Sequence, residues 1–182
     1  MSFETILSTV PHHSAALANL GMTRLAQQRY GEAAIAYEKA VALDPERADW
    51  HGNLGAAYVR GGDFDTAAKC FGRAADLDRI TSAYQVHLGI ALRAAGDLTA
   101  SIQVLERVVS DAPSNTSAVA HLVVGLEYTC QWDKLELYHP MLDRATQRAL
   151  DTGRRPHEDP MLNIRRSSDI ALNQSVAQAW SR

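Results

Sequence analysis

The residues of this sequence that could do chemistry are seven histidines, two cysteines and a recurring series of amide side chains. Four histidines fall near predicted helix ends or in a proline-rich stretch, without partners at a catalytic or metal-binding spacing: His12, His13, His139 and His157. Cys70 and Cys130 form no CxxC pair, and we expect each to be a small buried thiol, with a single disulfide as the alternative. The sequence therefore predicts no catalytic residue, no metal site and no cofactor.

Side chains suited to holding a polypeptide recur once every 34 residues, at Asn19, Asn53, His87 and His121. Asparagine both donates and accepts hydrogen bonds, so a column of asparagines can hold an extended backbone whatever its sequence. The alternative is that these side chains only satisfy polar groups between helices. A metal site made by His87 and His121 is not expected, because no third ligand lies at a suitable spacing.

The elements that position this column are helices, and the same period of 34 residues organises them. Leu20-Gly21 recurs as Leu54-Gly55 and Leu88-Gly89, and then as Leu122-Val123. Further columns have the same period: Ala33, Ala67 and Ser101; Tyr37, Phe71 and Leu105; Tyr30, Phe64, Leu98 and Trp132. Within each unit, two blocks of apolar residues at helical spacing are separated by a turn such as Gly61-Gly62-Asp63, where aspartate can cap the second helix.

These columns resemble the tetratricopeptide repeat, a helix–turn–helix unit, over about residues 14 to 139. The resemblance implies an all-α fold, a right-handed superhelical solenoid. We expect an N-terminal capping helix over 1–13 (with Phe3 and Ile6 on its apolar side), repeats over 14–47, 48–81 and 82–115, and a degenerate fourth repeat over 116–152. Pro140 falls inside the last predicted helix, which we expect to be broken there.

In this family the first helix of each repeat lines a concave groove, which implies a set of partner-binding residues: Asn19, Met22, Asn53, Ala56, Arg60, Val86, His87, Ile90, Arg93, His121, Val124 and Tyr128. Apart from the amide and histidine column, the predicted lining is mostly small and apolar, with Ala18, Gly52 and Ala120 as further members. Capture of a heat-shock protein's C-terminal carboxylate is not expected, because only Asn53 matches the cationic clamp of the family's cochaperones.

The segment 153–182 lacks the repeat period, and we predict a linker followed by a C-terminal helix. Ser167-Ser168-Asp169 can cap that helix, and its apolar stripe is Ile170, Val176, Ala177 and Trp180. The run Glu158-Asp159-Pro160-Met161 and the Ala/Asn-rich helix after it resemble the linker before the catalytic domain in bacterial protein O-glycosyltransferases of the SPINDLY or O-GlcNAc-transferase type. This resemblance implies a domain that recruits glycosylation substrates, of which flagellin is one example.

Composition and charge limit the remaining classes of partner. With 18 basic and 21 acidic residues, the formal charge of −3 argues against nucleic acid. No apolar run is long enough to span a membrane, and the N-terminus does not resemble a signal peptide, so we expect a cytoplasmic protein. We therefore predict a module that binds another protein or a peptide. The alternatives are a scaffold whose groove is filled by its own tail or by a second copy in a homodimer, and a free-standing adaptor.

Overall fold

The computed structural model describes residues 13–158 and 160–181, and these residues form helices joined by short turns, with no strand among them. The helices are α1 Ser14–Ala26, α2 Tyr30–Leu43, α3 Ala48–Gly61, α4 Phe64–Leu77, α5 Ser82–Ala94, α6 Leu98–Asp111, α7 Thr116–Tyr128, α8 Trp132–Asp151, α9 Pro160–Arg166 and α10 Ile170–Trp180. The predicted N-terminal helix, with Phe3 and Ile6, lies outside the described residues apart from His13.

The helices belong to two compact units, α1–α5 and α6–α10. In the first unit each helix packs against the next along the chain, as expected for stacked helix pairs. One apolar cluster joins α1, α2 and α3 through Leu17, Tyr37 and Trp50. A second cluster joins α3, α4 and α5 around Phe71.

In this unit, close packing of an aromatic ring explains the glycines of the Leu-Gly column. An added Cβ on Gly21 would lie 2.7 Å from the ring of Tyr37, which is 1% exposed. An added Cβ on Gly55 would lie 3.0 Å from the ring of Phe71. In these two repeats the aromatic ring of the second helix therefore lies directly on the glycine of the first helix.

Turns between helices follow the predicted chemistry. Gly62 has φ of 86°, a left-handed conformation that glycine adopts without strain, and it ends α3. The Asp63 side chain then accepts a hydrogen bond of 3.0 Å from the backbone N–H of Thr66. The predicted aspartate cap at the start of α4 is confirmed.

In the second unit, α6, α7 and α8 pack in sequence order, and α10 packs against α8 and α9. Helix α8 runs without a break through Pro140, so the predicted break is wrong. Pro140 is exposed, and the cost of a proline inside a helix is one lost backbone hydrogen bond and crowding of the carbonyl four residues earlier. Leu135 and Leu142, both buried on either side of the proline, hold the two halves of α8 in place.

The C-terminal segment is more ordered than a linker and one helix. Helix α10 begins where predicted, with Asp169 accepting a hydrogen bond of 3.1 Å from Leu172 N–H. Its predicted apolar stripe is right in part, because Val176 is buried and Trp180 is half-buried, whereas Ile170 is 72% exposed and Ala177 is exposed. Helix α9 was not predicted, and Pro156 and Glu158 in the supposed linker are buried.

Candidate functional site

The histidines and cysteines of the described ranges lie apart from one another or serve local structure. Within the described ranges, no group of three or more histidine, cysteine or acidic side chains could hold a metal ion. His13 instead caps α1, accepting from Ala16 N–H at 3.1 Å. Burial raises the pKa of the half-buried Cys70 thiol to about 11, which makes it a poor nucleophile. Cys130 is exposed at a turn with φ of 54°, so the prediction of a buried thiol is wrong there.

The amide column has free hydrogen-bonding groups in the first unit. Asn19 on α1 is half-buried and Asn53 on α3 is exposed. The backbone carbonyl of Asn19 accepts from the Thr23 hydroxyl at 2.9 Å, but the carboxamides of Asn19 and Asn53 have no hydrogen-bond partner in the described part of the chain. Both amides can therefore donate to and accept from a bound molecule.

His87 continues the column on α5. Its ring stacks on Phe71, with a centroid distance of 5.2 Å and an interplanar angle of 26°. Partial burial of the ring lowers the pKa of His87 below the ordinary histidine value, so the ring is neutral at pH 7. A neutral imidazole has one donor and one acceptor, the same pair that a carboxamide offers.

Around this column, the predicted side chains differ in accessibility. Met22 is 57% exposed, Arg60 is exposed, and Ala56 and Ile90 are half-buried. Arg93 is half-buried, and its Nε is a buried donor without a hydrogen-bond partner among the described residues. We call the set Asn19, Met22, Asn53, Arg60 and His87 the first-helix face.

Val86 was predicted to contact a partner, but it is 5% exposed and belongs to the core, so that prediction is wrong. It has the same position in its repeat as Ala18 and Gly52, which are also buried. An added Cβ on Gly52 would lie 2.6 Å from the Tyr84 ring of the following repeat. At Gly52 this position therefore faces α5, the first helix of the following repeat.

In the second unit the predicted residues lie on α7. His121 and Val124 are half-buried, and Tyr128 is 66% exposed. Ala120, at the position that is buried in the other repeats, is 3% exposed. The participation of α7 in binding stays a prediction.

A buried polar cluster in the second unit was missed from the sequence. Arg166 on α9 pairs with Glu158 at 2.6 Å, and the side chains are 3% and 0% exposed. Asp143 of α8 also pairs with Arg166, and the Thr146 hydroxyl of α8 donates to Glu158. The sequence gives no periodic signal for these residues, since mixed charge between prolines is typical of a solvated linker.

Comparison with protein families identifies the repeats. A model described as "Tetratricopeptide repeat" matches residues 53–116, and one described as "TPR repeat" matches residues 21–62. This chain carries tetratricopeptide repeats. The predicted family is confirmed, and so is the all-α solenoid fold that it implies. No functionally curated protein is similar enough in sequence to match.

Solved structures of tetratricopeptide repeat proteins have the same fold. A crystal structure of MamA superposes with a TM-score of 0.72 at 22% identity, covering 76% of this chain and 81% of that one. YrrB, described as a TPR protein with an unusual peptide-binding site, gives 0.68 at 15% identity over 100% and 92% of the two chains. The first TPR of Spaghetti (RPAP3), bound to the HSP90 peptide SRMEEVD, gives 0.59 at 26% identity over 64% and 93%.

None of the helices within the described ranges has the length and apolar character needed to cross a bilayer.

Proposed function

We propose that this chain binds an extended polypeptide along its first-helix face and holds the partner's backbone through Asn19, Asn53 and His87. The observation that carries this proposal is the pair of free carboxamides on α1 and α3, at the same position of successive repeats. An amide that only served packing would have a partner inside the fold, because an unpaired polar group away from water costs about 1–3 kcal/mol. Asn53 is instead exposed and unpaired among the described residues.

Two structural relatives support a peptide as the partner. The RPAP3 repeat was solved with the peptide SRMEEVD, and YrrB is described as having a peptide-binding site. The cationic residues of the cochaperone clamp are absent from this chain, where Ala18, Met22, Ala83 and His87 stand at the positions of the clamp other than Asn53. Backbone recognition, with Met22 as an apolar anchor, therefore fits this face better than carboxylate capture.

For the setting of this binding, we propose recruitment of substrates for a protein O-glycosyltransferase, with flagellin as one candidate substrate. Its support is the resemblance of Glu158-Asp159-Pro160-Met161 to the linker of those enzymes. In this setting the role of the chain is to hold the substrate, and the catalytic residues would belong to the glycosyltransferase domain that it serves.

The first test is selection of binding peptides from a displayed random library against the full chain, followed by affinity measurement by fluorescence anisotropy. We expect Asn53→Ala to weaken binding about fivefold, corresponding to the loss of one hydrogen bond of about 1 kcal/mol. Gln103→Ala is the matched control, because it removes an exposed carboxamide from a second helix, α6. Equal affinity of the wild type and Asn53→Ala for every selected peptide would contradict the proposal.

The alternative of a self-filled face has its own measurement. The C-terminal segment packs against α8 in the second unit. The alternative to test is therefore a second copy of the chain, not the chain's own tail. Sedimentation equilibrium of the full chain is expected to give a monomer. A dimer that dissociates on Asn53→Ala would instead assign the first-helix face to self-association.

A further inference from the structure

The buried polar cluster of the second unit has no part in the proposed peptide binding, and it joins three parts of the chain. Arg166 of α9 pairs with Glu158 of the preceding segment and with Asp143 of α8. Glu158 also accepts from Thr146 of α8. Arg166 and Glu158 are deeply buried, whereas Asp143 is 51% exposed. Because buried charges are costly to leave unpaired, the position of α9 on α8 depends on the partners of Arg166 and Glu158.

Helix α10 is attached to the same cluster. The indole N–H of Trp180 donates to the backbone carbonyl of Glu158 at 3.0 Å, and Asn163 of α9 donates to Asn173 of α10 at 2.7 Å. Few apolar side chains of α10 are buried. Val176 is the buried apolar residue of α10, whereas Ile170 at its start is 72% exposed.

His139 of α8 lies on the side of this helix that faces inward. Leu135, Leu142 and Thr146 are buried, and His139 has the helical spacing that places it on the same stripe. Its Nε2 atom is buried and has no hydrogen-bond partner among the described residues. A proton placed on this atom would find no acceptor in the present packing.

The charges that act on His139 come from each neighbouring element: Arg166 from α9, Glu127 from α7, Glu158 from the segment before α9, and Asp143 from α8 itself. The carboxylates favour a charged ring, but Arg166 already pairs with Asp143 and Glu158. Burial and the charge of Arg166 together hold the pKa of His139 below the ordinary histidine value.

We propose that the segment carrying α9 and α10 is an acid-released clasp, with His139 as the group whose protonation loosens it from α8. A charged ring has an N–H on both nitrogens, so the N–H at Nε2 would have no acceptor in the present packing, and the charge of Arg166 would oppose the new charge. Release exposes the buried side chains of the tail helices, Leu162 and Val176.

The way in which the packing of the segment changes with pH follows from the difference between the His139 pKa in the packed and the released state. The released state takes up a proton on His139 at the ordinary histidine pKa, about 6.5, whereas the packed state resists protonation until lower pH. The packing of the segment is therefore at full strength above about pH 6.5 and weakens as the pH falls below that value.

Hydrogen exchange measured by mass spectrometry on the full chain at pH 7.5, 6.5 and 5.5 tests this proposal. After correction for the intrinsic pH dependence of amide exchange, we expect exchange in α9 and α10 to rise several-fold between pH 7.5 and 5.5, while α3 and α4 remain unchanged. His139→Gln, which cannot be protonated in this range, is expected to abolish the rise. No rise in the wild type, or the same rise in His139→Gln, would overturn the proposal.

The matched control is His51→Gln on α3, where the ring Nε2 lies 3.0 Å from the Pro45 carbonyl oxygen. This variant is expected to show the same rise in hydrogen exchange of α9 and α10 at low pH as the wild type. If His139→Gln already loosens the segment at pH 7.5, an NMR titration of the wild-type histidine rings decides the question. A His139 ring that titrates below about 6.5 supports the clasp, and one that titrates at or above that value contradicts it.

Discussion

Two kinds of residue determine what the first helices can do: small residues that allow close approach and amides with free polar groups. Gly52 accepts the ring of Tyr84 from the next repeat, at a distance that leaves no room for a methyl group. Asn53, the next residue, is exposed. One helix thus has adjacent residues for stacking and, in the proposed function, for binding.

The close approach at Gly21 leads to a prediction about stability. Gly21→Ala would place a methyl group 2.7 Å from the buried ring of Tyr37, and we expect it to lower the free energy of unfolding by about 1–3 kcal/mol. Gly72→Ala is the matched control, because its Cβ meets nothing within 4 Å and lies inside α4. It should raise stability by about 0.5–1 kcal/mol. Urea unfolding checks both, and equal shifts in the two variants would show that the glycine column has no packing role.

The single residues of the proposed binding surface were only partly predictable from the sequence. The period predicts Asn19, Asn53 and His87 as a column, and their part in binding stays a prediction. The same spacing wrongly included Val86, because residues four or fewer apart on one helix can face the open side or the neighbouring helix. The buried and the open positions can be told apart only from the structure. There, the Tyr84 ring covers Gly52 of the preceding repeat, which has the same position as Val86.

At the scale of elements, helix ends are fixed by side chains that satisfy the first backbone donors. Asp63 caps α4, and its hydrogen bonds with Thr66 hold the pKa of its carboxyl below the ordinary value. Asp78 accepts from Ile80 and Thr81 N–H groups in the turn before α5, and its pKa is lowered by the same kind of bond. These carboxylates stabilise the turns only while they are ionised.

The cap at Asp63 therefore makes stability depend on pH. Because the folded pKa is lowered, the contribution is present above the unfolded aspartate pKa of about 3.9 and is lost as the pH falls through the folded value. Asp63→Asn keeps a capping side chain but cannot titrate. We expect the urea midpoints of wild type and Asp63→Asn to converge between pH 6 and pH 2.5. A difference between them that stays constant over this range would contradict the assignment.

Elements with a clear period or cap were predictable, and the others were not. The repeat helices and the start of α10 follow from spacing and from Asp63 and Asp169. Helix α8 continues through Pro140 because packing on both sides outweighs the cost of a proline inside the helix. No local sequence pattern reveals that packing. Helix α9 has seven residues, too short for a periodic signal, and it is held by the Arg166 and Glu158 pair.

At the scale of the whole molecule, the chain consists of two compact units, α1–α5 and α6–α10, with different organisation. In the first unit the same stacking contact recurs from repeat to repeat. The amide column recurs with the same period as a consequence. The second unit ends in a segment whose buried Arg166 pairs with the exposed Asp143 of α8. The repeat period predicts the first kind of structure, whereas the second depends on individual pairs that are distant in sequence.

The central claim is that the first-helix face recognises the backbone of a bound peptide, and backbone substitution in the peptide tests it most directly. A selected peptide is prepared with single amides replaced by esters, which remove one backbone donor each, and its affinity is measured for wild type and Asn53→Ala in a double-mutant cycle. We predict one ester that weakens wild-type binding about fivefold and has no further effect on Asn53→Ala. If every ester weakens both proteins equally, or if only changes of the peptide's side chains matter, Asn53 does not hold the backbone and the account is wrong.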